Sequence, residues 1–340
     1  PAMRRTHRIA LMAALAVVAG ALTACSPGDS DELVIYSGRN ENLIGPLLER
    51  YAEESGVDIR VKYADTGETL ATLLEEGDNT RADVFISQDA GALGVLAERG
   101  MFAPLPQGLV DKVEDGFADP ELRWVGLTGR VRVIAYNTDA VSEAEVPDSV
   151  FDVLDPKWKG RVGFPPTNAS FIAYVSALRA EFGDDRAREF LEGLKANDAQ
   201  RFENNILVLN AIASGEIDLG LVNHYYLYAE LTEQGDVPVE NHYPGAGDEG
   251  EGTFVNMSGV AVLDGSDQSE EALDFVEFLL GDEAQEYFRE ETSEYPLSRS
   301  VDPIDELPPL ESLRTFDVDP ARIGEHLETT VEMIKDVGLT

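Results

Sequence analysis

The 340-residue chain contains 65 acidic and 26 basic residues, which gives a formal net charge of -39. Such a charge repels phosphate backbones and anionic lipid headgroups, so it argues against nucleic-acid or membrane-surface binding. A hydrophobic content of 43% is typical of a globular protein. We attribute most of the acidity to solubility rather than to a binding site.

The first 24 residues have the pattern of a secretory signal peptide. A basic segment, Met3–Arg8, precedes the apolar run Ile9–Ala21, which is short for a transmembrane helix. The sequence Leu-Thr-Ala-Cys then ends at Cys25 and resembles a bacterial lipobox, in which the cysteine is lipidated. Cys25 is the only cysteine, so an internal disulfide is excluded. We predict a signal peptide over 1–24, a lipid-anchored tether over 25–32, and location at the outer face of the cytoplasmic membrane.

The chain after the tether alternates between strand and helix patterns. Strands are predicted at 32–36, 57–63, 82–86, 130–136, 162–164, 217–222 and 260–263. Helices are predicted from Asn40 or Asn42 to 56 and at 66–76, 87–100, 170–182, 184–197, 206–213, 269–280, 282–291 and 320–337, with another after 222. This alternation predicts an α/β fold with a parallel sheet covered on both faces.

Oxygen-rich or cationic residues follow four of the predicted strands. These junctions are Tyr36–Asn40, Ser87–Asp89, Tyr136–Thr138 and Asn223–Tyr226. Since the carboxyl ends of parallel strands meet at one edge of a sheet, we expect the four junctions to form one site. The last of them contains two adjacent tyrosines, Tyr225 and Tyr226.

Phenolate oxygen is a hard, anionic donor that suits Fe³⁺. Because a phenol has a pKa near ~10, the metal must drive the loss of its proton. Three phenolates would neutralise the ion, and a small anion held by the planar guanidinium of Arg39 would complete its coordination. Each residue also has an ordinary role: the doublet and Tyr136 as core packing, Arg39 as a surface cation, Gln88 as a helix start. No metalloprotease, P-loop or dinucleotide motif occurs, and no Ser-His-Asp set can be assigned.

Four segments together resemble the bacterial ferric-ion-binding proteins, the substrate-binding components of iron ABC transporters. They are Val34–Arg39, Glu75–Phe85, Gly126–Asn137 and Asn223–Tyr226. The resemblance implies a two-lobed periplasmic-binding-protein (type II) fold with a ligand cleft between the lobes. Lobe 1 would comprise 33–131 plus about 260–302, and lobe 2 would comprise 132–259 plus about 303–340.

The resemblance also implies a ligand set. Tyr225 and Tyr226 match the paired iron ligands, and Tyr136 matches the third tyrosine of a tyrosine-rich branch. Another branch uses a histidine and a glutamate where this chain has Asn40 and Gln88. We therefore expect three tyrosines and a synergistic anion such as carbonate. The anion would lie near Ser37, Gly38 and Arg39, with Asn40 and Gln88 beside it.

The implied function is capture rather than catalysis. We expect a monomeric lipoprotein that carries Fe³⁺ as cargo to a membrane permease of an ABC transporter and binds no nucleic acid. One alternative is a binding protein of the same fold for another small solute, such as thiamine, a polyamine or a phosphonate. A lipid-anchored hydrolase is a further alternative.

Overall fold

The computed structural model describes residues 32–228, 235, 237–245, 252–316 and 318–340. The predicted signal peptide, Cys25 and all of the predicted tether except Glu32 lie outside these ranges. Within the described ranges, none of the helices has both the length and the apolar character needed to cross a membrane.

The described residues form strands and helices in mixed order along the chain. The strands are β1 (Glu32–Ser37), β2 (Asp58–Tyr63), β3 (Val84–Ser87), β4 (Val125–Asn137), β5 (Val162–Phe164), β6 (Gln200–Arg201), β7 (Leu219–Asn223), β8 (Val239–His242), β9 (Val255–Val262) and β10 (Tyr295–Pro296). The α-helices are α1 (Glu41–Ser55), α2 (Thr66–Glu76), α3 (Ala90–Glu98), α4 (Gln107–Val110), α5 (Ala169–Phe182), α6 (Asp184–Ala196), α7 (Asn205–Ala213), α8 (Ser269–Leu279), α9 (Asp282–Glu291) and α10 (Pro320–Val337). Single 3-10 turns occupy Gly77–Asn79, Glu143–Glu145, Val150–Leu154, Pro156–Trp158 and Leu310–Ser312.

The strands form a mixed sheet, not the parallel sheet that the alternation predicted. Strands β1, β2 and β3 are mutually parallel, as expected, and so are β5, β6 and β7. Between these two groups, β9 and β4 run antiparallel to their neighbours, in the order β2-β1-β3-β9-β4-β7-β5-β6. Strand direction depends on long-range pairing, which the pattern of apolar residues does not encode.

Strand β4 connects the two groups of parallel strands. Its first half, from Val125 to Val131, pairs with β9, and its second half, from Arg132 to Asn137, pairs with β7 and β8. The sequence predicted only the part from 130 because glycines interrupt the earlier residues. At Gly126, an added Cβ would lie 2.8 Å from Leu297 Cδ1 and 2.9 Å from the Phe117 carbonyl oxygen. Close packing therefore requires the glycine that hides the strand pattern.

Two hydrophobic cores lie on either side of this connection. One is built from residues between Leu33 and Leu127 together with residues between Met257 and Leu297. The other uses residues from Ile134 to Phe254 and the carboxyl-terminal residues from Ile323 to Leu339. A third cluster, which includes Val131, Val133 and Tyr295, packs along the connecting strands.

Helix α10 contacts both of these cores. It packs on α5 and α6 and also crosses α3, whose first residue follows the Ser87–Asp89 junction. At the crossing, a Cβ on Gly91 would lie 3.0 Å from Gly324 Cα. The two helices therefore meet backbone to backbone, and a larger side chain at this point would force them apart.

Candidate functional site

The tyrosine doublet begins a helical turn immediately after β7. Tyr225 and Tyr226 are both half-buried, and their ring centroids are 4.2 Å apart with the ring planes inclined by 31°. Burial raises the pKa of Tyr225 well above the ordinary phenol value, and the neighbouring Tyr226 phenol raises it further. The Arg130 charge acts in the opposite direction. Without a bound cation, Tyr225 therefore keeps its proton at neutral pH, and ligation through its phenolate would require a metal to displace that proton.

Two buried arginines lie beside the doublet. Arg130 and Arg132 alternate along β4, so they are on the same face of the strand. Arg132 donates hydrogen bonds to the Leu221 carbonyl at 2.5 Å and to Asn223 Oδ1 at 3.3 Å. Burial lowers the pKa of Arg132 to about 10, while the phenols of Tyr174 and the doublet raise it. Arg132 thus stays cationic at neutral pH.

The amino terminus of α5 completes this side of the site. Asn168 caps the helix by accepting the Ser170 N–H at 3.0 Å, and Arg132 Nη1 donates to Ser170 Oγ at 3.3 Å. Asn205 Nδ2 donates to Asn168 Oδ1 at 3.2 Å. Asn205 Oδ1 is buried and has no hydrogen-bond partner among the described residues. The positive end of the helix dipole, next to a guanidinium, forms an environment that favours an anion.

The Ser37–Asn40 turn does not present a free arginine, contrary to our expectation. The Arg39 side chain is fully buried, and its Nη2 donates to Glu294 Oε2 at 2.7 Å. Its Nη1 donates to Thr128 Oγ1 at 3.0 Å and to Ser258 Oγ at 2.6 Å. Removing Arg39 from this pair to bind an external anion would leave Glu294 buried and uncompensated.

The other residues of this turn have local roles. Ser37 Oγ accepts the Arg39 N–H at 3.2 Å, and Asn40 is exposed at the start of α1. Gly38 approaches Thr66 so closely that an added Cβ would collide with its Oγ1 atom. The turn therefore fixes the buried Arg39 rather than forming an anion pocket.

Gln88 is connected to the doublet through Arg130. Its backbone carbonyl accepts a hydrogen bond from Arg130 Nη2, and Arg130 Nε lies 3.7 Å from Glu294 Oε1. The Gln88 Oε1 atom is buried and lacks a hydrogen-bond partner in the described part of the chain. Burial raises the pKa of Glu294, but the charges of Arg39 and Arg130 hold it below its usual range.

Tyr136 is not brought to the doublet. Strand β4 pairs antiparallel with β7, so Arg132 lies opposite Asn223 while Tyr136 lies opposite Leu219 at the other end. Four residues of strand separate the two positions, which is about 13 Å. The Tyr136 hydroxyl donates to Glu240 Oε2 at 2.6 Å, and burial followed by this carboxylate raises its pKa. The predicted convergence failed because a carboxyl end in an antiparallel pair lies at the opposite edge.

Comparison with known proteins gives matches over most of the chain. A family model described as bacterial extracellular solute-binding protein matches residues 79–320. The major ferric iron-binding protein of Neisseria meningitidis is 30% identical over 326 residues, which cover 95% of this chain and 98% of that protein. The chain belongs to the bacterial ferric-ion-binding protein family.

Solved structures of similar proteins agree with this assignment. Iron-bound HitA from Pseudomonas aeruginosa is 32% identical, with a TM-score of 0.80 over 90% of this chain and 99% of that one. A Trichodesmium protein in complex with iron and citrate ligands is 27% identical, with a TM-score of 0.77 over 91% of this chain and 100% of that one. These similarities and the curled, mixed sheet confirm the predicted two-lobed type II fold of the ferric-ion-binding family.

Two parts of this site have only weak signals in the sequence. The sequence predicts Arg130 and Arg132 only as strand residues, although two arginines with a spacing of two in an apolar strand are costly to bury and therefore informative. Asn168 and Asn205 carried no distinctive signal, because asparagine at a helix start is common. Among the described residues, no group of three or more His, Cys, Asp or Glu side chains could hold a metal ion.

Proposed function

We propose that the protein is the extracytoplasmic, substrate-binding lipoprotein of an ABC transporter and captures ferric iron for uptake. The observation that carries this proposal is the pair of adjacent phenols at the carboxyl end of β7, beside a buried arginine that itself contacts a helix amino terminus. Membership of the ferric-ion-binding family supports the choice of metal. The protein is proposed to act by binding alone, with no catalytic step.

We propose Tyr225 and Tyr226 as the two iron ligands supplied by the protein. Two phenolates leave one positive charge of Fe³⁺ uncompensated and most of its coordination positions unfilled, and Gln88 and Asn40 are uncharged. A synergistic oxyanion, carbonate or a carboxylate, is proposed to fill those positions. The Trichodesmium relative, solved with iron and citrate, supports an anion of this class.

The anion is proposed to lie at the amino terminus of α5, and not at the Ser37–Arg39 turn. Arg132 and the positive end of the α5 dipole supply positive potential there. Asn205 Oδ1, which has no hydrogen-bond partner among the described residues, can accept a hydrogen bond from a hydroxyl or a bound water. The ion pair of Arg39 with Glu294 argues against the position expected from the sequence. Tyr136 is left out of the ligand set because of its place on β4.

We propose that two lobes close on the cargo, with boundaries at 33–131 plus about 260–302 and 132–259 plus about 303–340. The distribution of the two hydrophobic cores along the chain supports these boundaries. Closure would shift a population of conformers towards the liganded form, which a membrane permease would then recognise. A monomer suffices for this mechanism.

Export and lipid anchoring through Cys25 complete the proposal. The full-length protein, expressed in a bacterium, should fractionate with membranes, and its amino-terminal peptide should carry the mass of a lipid modification at Cys25. The Cys25→Ser variant should leave the membrane fraction. Equal fractionation of both proteins would contradict the anchor but not iron binding.

Visible absorption tests the iron proposal directly. Ferric citrate added to the apo-protein should produce a red to purple colour, because tyrosinate-to-iron charge transfer absorbs visible light. The double variant Tyr225→Phe, Tyr226→Phe should stay colourless under the same conditions. A colourless wild-type protein would rule out the proposal and leave the alternatives of another solute or a hydrolase.

A further inference from the structure

We propose that His224 is a positioning residue that fixes the direction of the Tyr225–Tyr226 phenols by tying their turn to two other segments. This inference rests on the proposed function of the doublet as an iron site. It gives His224 a role in metal binding although the imidazole itself is not a ligand.

The His224 ring is fully buried and both of its nitrogens are bonded to backbone. Nδ1 accepts the Val131 N–H at 3.0 Å, and Nε2 lies 3.0 Å from the Ser293 carbonyl oxygen. Since Val131 donates to Nδ1, the ring proton must be on Nε2, from where it donates to Ser293. The ring therefore has no lone pair left for a metal, and only this tautomer satisfies both partners.

The backbone of His224 is held as firmly as its ring. Its N–H donates to the Val131 carbonyl at 3.0 Å, and its own carbonyl accepts Asn241 Nδ2 at 2.9 Å. Val131 is on β4, Ser293 follows α9, and Asn241 is on β8. One residue thus connects the start of the helical turn to three separate segments, and the next two residues are the phenols.

The Ser293 end of this connection is itself rigid. Ser293 has a φ of 52°, a left-handed conformation that is rare for a residue with a side chain. Glu294 follows it and is held by Arg39 at 2.7 Å and by Arg130 at 3.7 Å. The carbonyl that His224 contacts therefore belongs to a segment locked by buried charges.

Ring packing links this anchor to the doublet. The His224 ring centroid is 5.0 Å from that of Tyr295 and 5.8 Å from that of Tyr225, with a nearly perpendicular plane in the second case. A ring that is hydrogen-bonded at both nitrogens cannot rotate, so it provides a fixed packing surface for the Tyr225 ring. Loss of the two hydrogen bonds would let the turn and its phenols move, and small displacements weaken metal ligation strongly.

Two substitutions separate hydrogen bonding from packing. His224→Gln keeps one acceptor and one donor on a planar amide, whereas His224→Leu keeps volume but has neither. The full chain without its signal peptide is loaded with ferric citrate, and the charge-transfer band and iron affinity against citrate competition are measured. We expect the leucine variant to bind about tenfold more weakly or worse, with a shifted band, and the glutamine variant to stay within about threefold of wild type.

The outcomes distinguish this inference from the proposed function. Wild-type protein that colours, together with a leucine variant of unchanged band and affinity, overturns the positioning role alone. A glutamine variant that binds iron as weakly as the leucine variant also overturns the positioning role, because an amide donor and acceptor at position 224 would then have no effect on iron affinity. Colourless wild-type protein overturns the proposed function itself. If circular dichroism shows that the leucine variant is unfolded, His224→Asn replaces it, since its shorter amide reaches only one of the two partners.

Discussion

Tyr136 and the Tyr225–Tyr226 doublet lie at opposite ends of the same pair of neighbouring strands. All three are partly or fully buried phenols next to the end of a strand, so they look equivalent in the sequence. Tyr136 faces Glu240, an acceptor that holds its proton in place, whereas the doublet faces Arg130 and Arg132. The charge that surrounds a phenol, and the edge at which it lies, therefore decide whether it is a candidate ligand.

The same contrast holds for the arginines. Arg39 is enclosed by a carboxylate and two hydroxyls, which use both of its terminal nitrogens. Arg132 instead contacts neutral acceptors and has no carboxylate partner among the described ion pairs. A guanidinium without a counter-ion can attract an anion, while one that is already paired supports the fold.

The largest expected effect comes from the doublet. Replacing both tyrosines in Tyr225→Phe, Tyr226→Phe should reduce affinity for Fe³⁺ by about a thousandfold or more, because both phenolates are lost. Each single variant, Tyr225→Phe or Tyr226→Phe, should show a large part of this loss of affinity for Fe³⁺. Iron competition with citrate measures the change.

Tyr136→Phe is the matched control for this measurement. It removes one buried hydroxyl but should leave the iron affinity within about twofold of the wild-type value. The reason is that Tyr136 lies about 13 Å along β4 from Arg132, which is opposite the end of β7 that precedes the doublet. An equal loss in Tyr136→Phe and in either doublet variant would show that Tyr136 reaches the metal and that the comparison is wrong.

The next effect concerns the stability that Arg39 provides. Glu294→Gln leaves Arg39 buried without a counter-ion and should lower the free energy of unfolding by about 3–5 kcal/mol. The control is Glu283→Gln, which breaks an exposed ion pair with Arg50 at 2.7 Å and should cost less than about 1 kcal/mol. Urea unfolding compares them, and similar midpoints would refute the distinction between a structural and a free arginine.

A pH dependence should arise from His224. Burial lowers the pKa of this ring to about 4 from 6.5, so between these values the unfolded chain binds a proton that the folded chain does not. Folding stability should therefore fall as the pH drops from about 6.5 to about 4, by at most about 3.5 kcal/mol at about 1.4 kcal/mol per pH unit.

His224→Gln isolates this contribution. Carboxylates and His326 titrate equally in both proteins, so the difference between the two stability curves reports His224 alone. Urea midpoints of the wild type and of His224→Gln are measured from pH 4 to 7. The difference between the two midpoints should be smaller at acid pH than at neutral pH. A constant separation over the range would show that His224 is not kept neutral by the fold.

The smallest effect tests the anion. Arg132→Gln should weaken iron binding about tenfold when bicarbonate or citrate is supplied, because the anion loses one charged contact. In anion-free buffer, the same substitution should have little effect on the remaining weak binding. An equal loss in both conditions would assign Arg132 to the doublet rather than to the anion.

Local sequence patterns determined much of this protein. The predicted segments at 32–36, 66–76, 184–197 and 320–337 all occur close to their expected bounds, because turn residues and apolar periodicity act locally. The doublet was found because two adjacent phenols after a buried strand are conspicuous. The family was also recognisable from residues alone.

Tertiary structure decided which of these residues meet. The direction of β4 relative to β7 carried Tyr136 away from the doublet and brought Arg130 and Arg132 to it. The partner of Arg39 is Glu294, which is 255 positions away in the chain. Strand direction and such distant pairs arise from global packing, and one-dimensional periodicity does not contain them. The sequence alone therefore identified the two phenols, and only the folded chain showed which charges surround them.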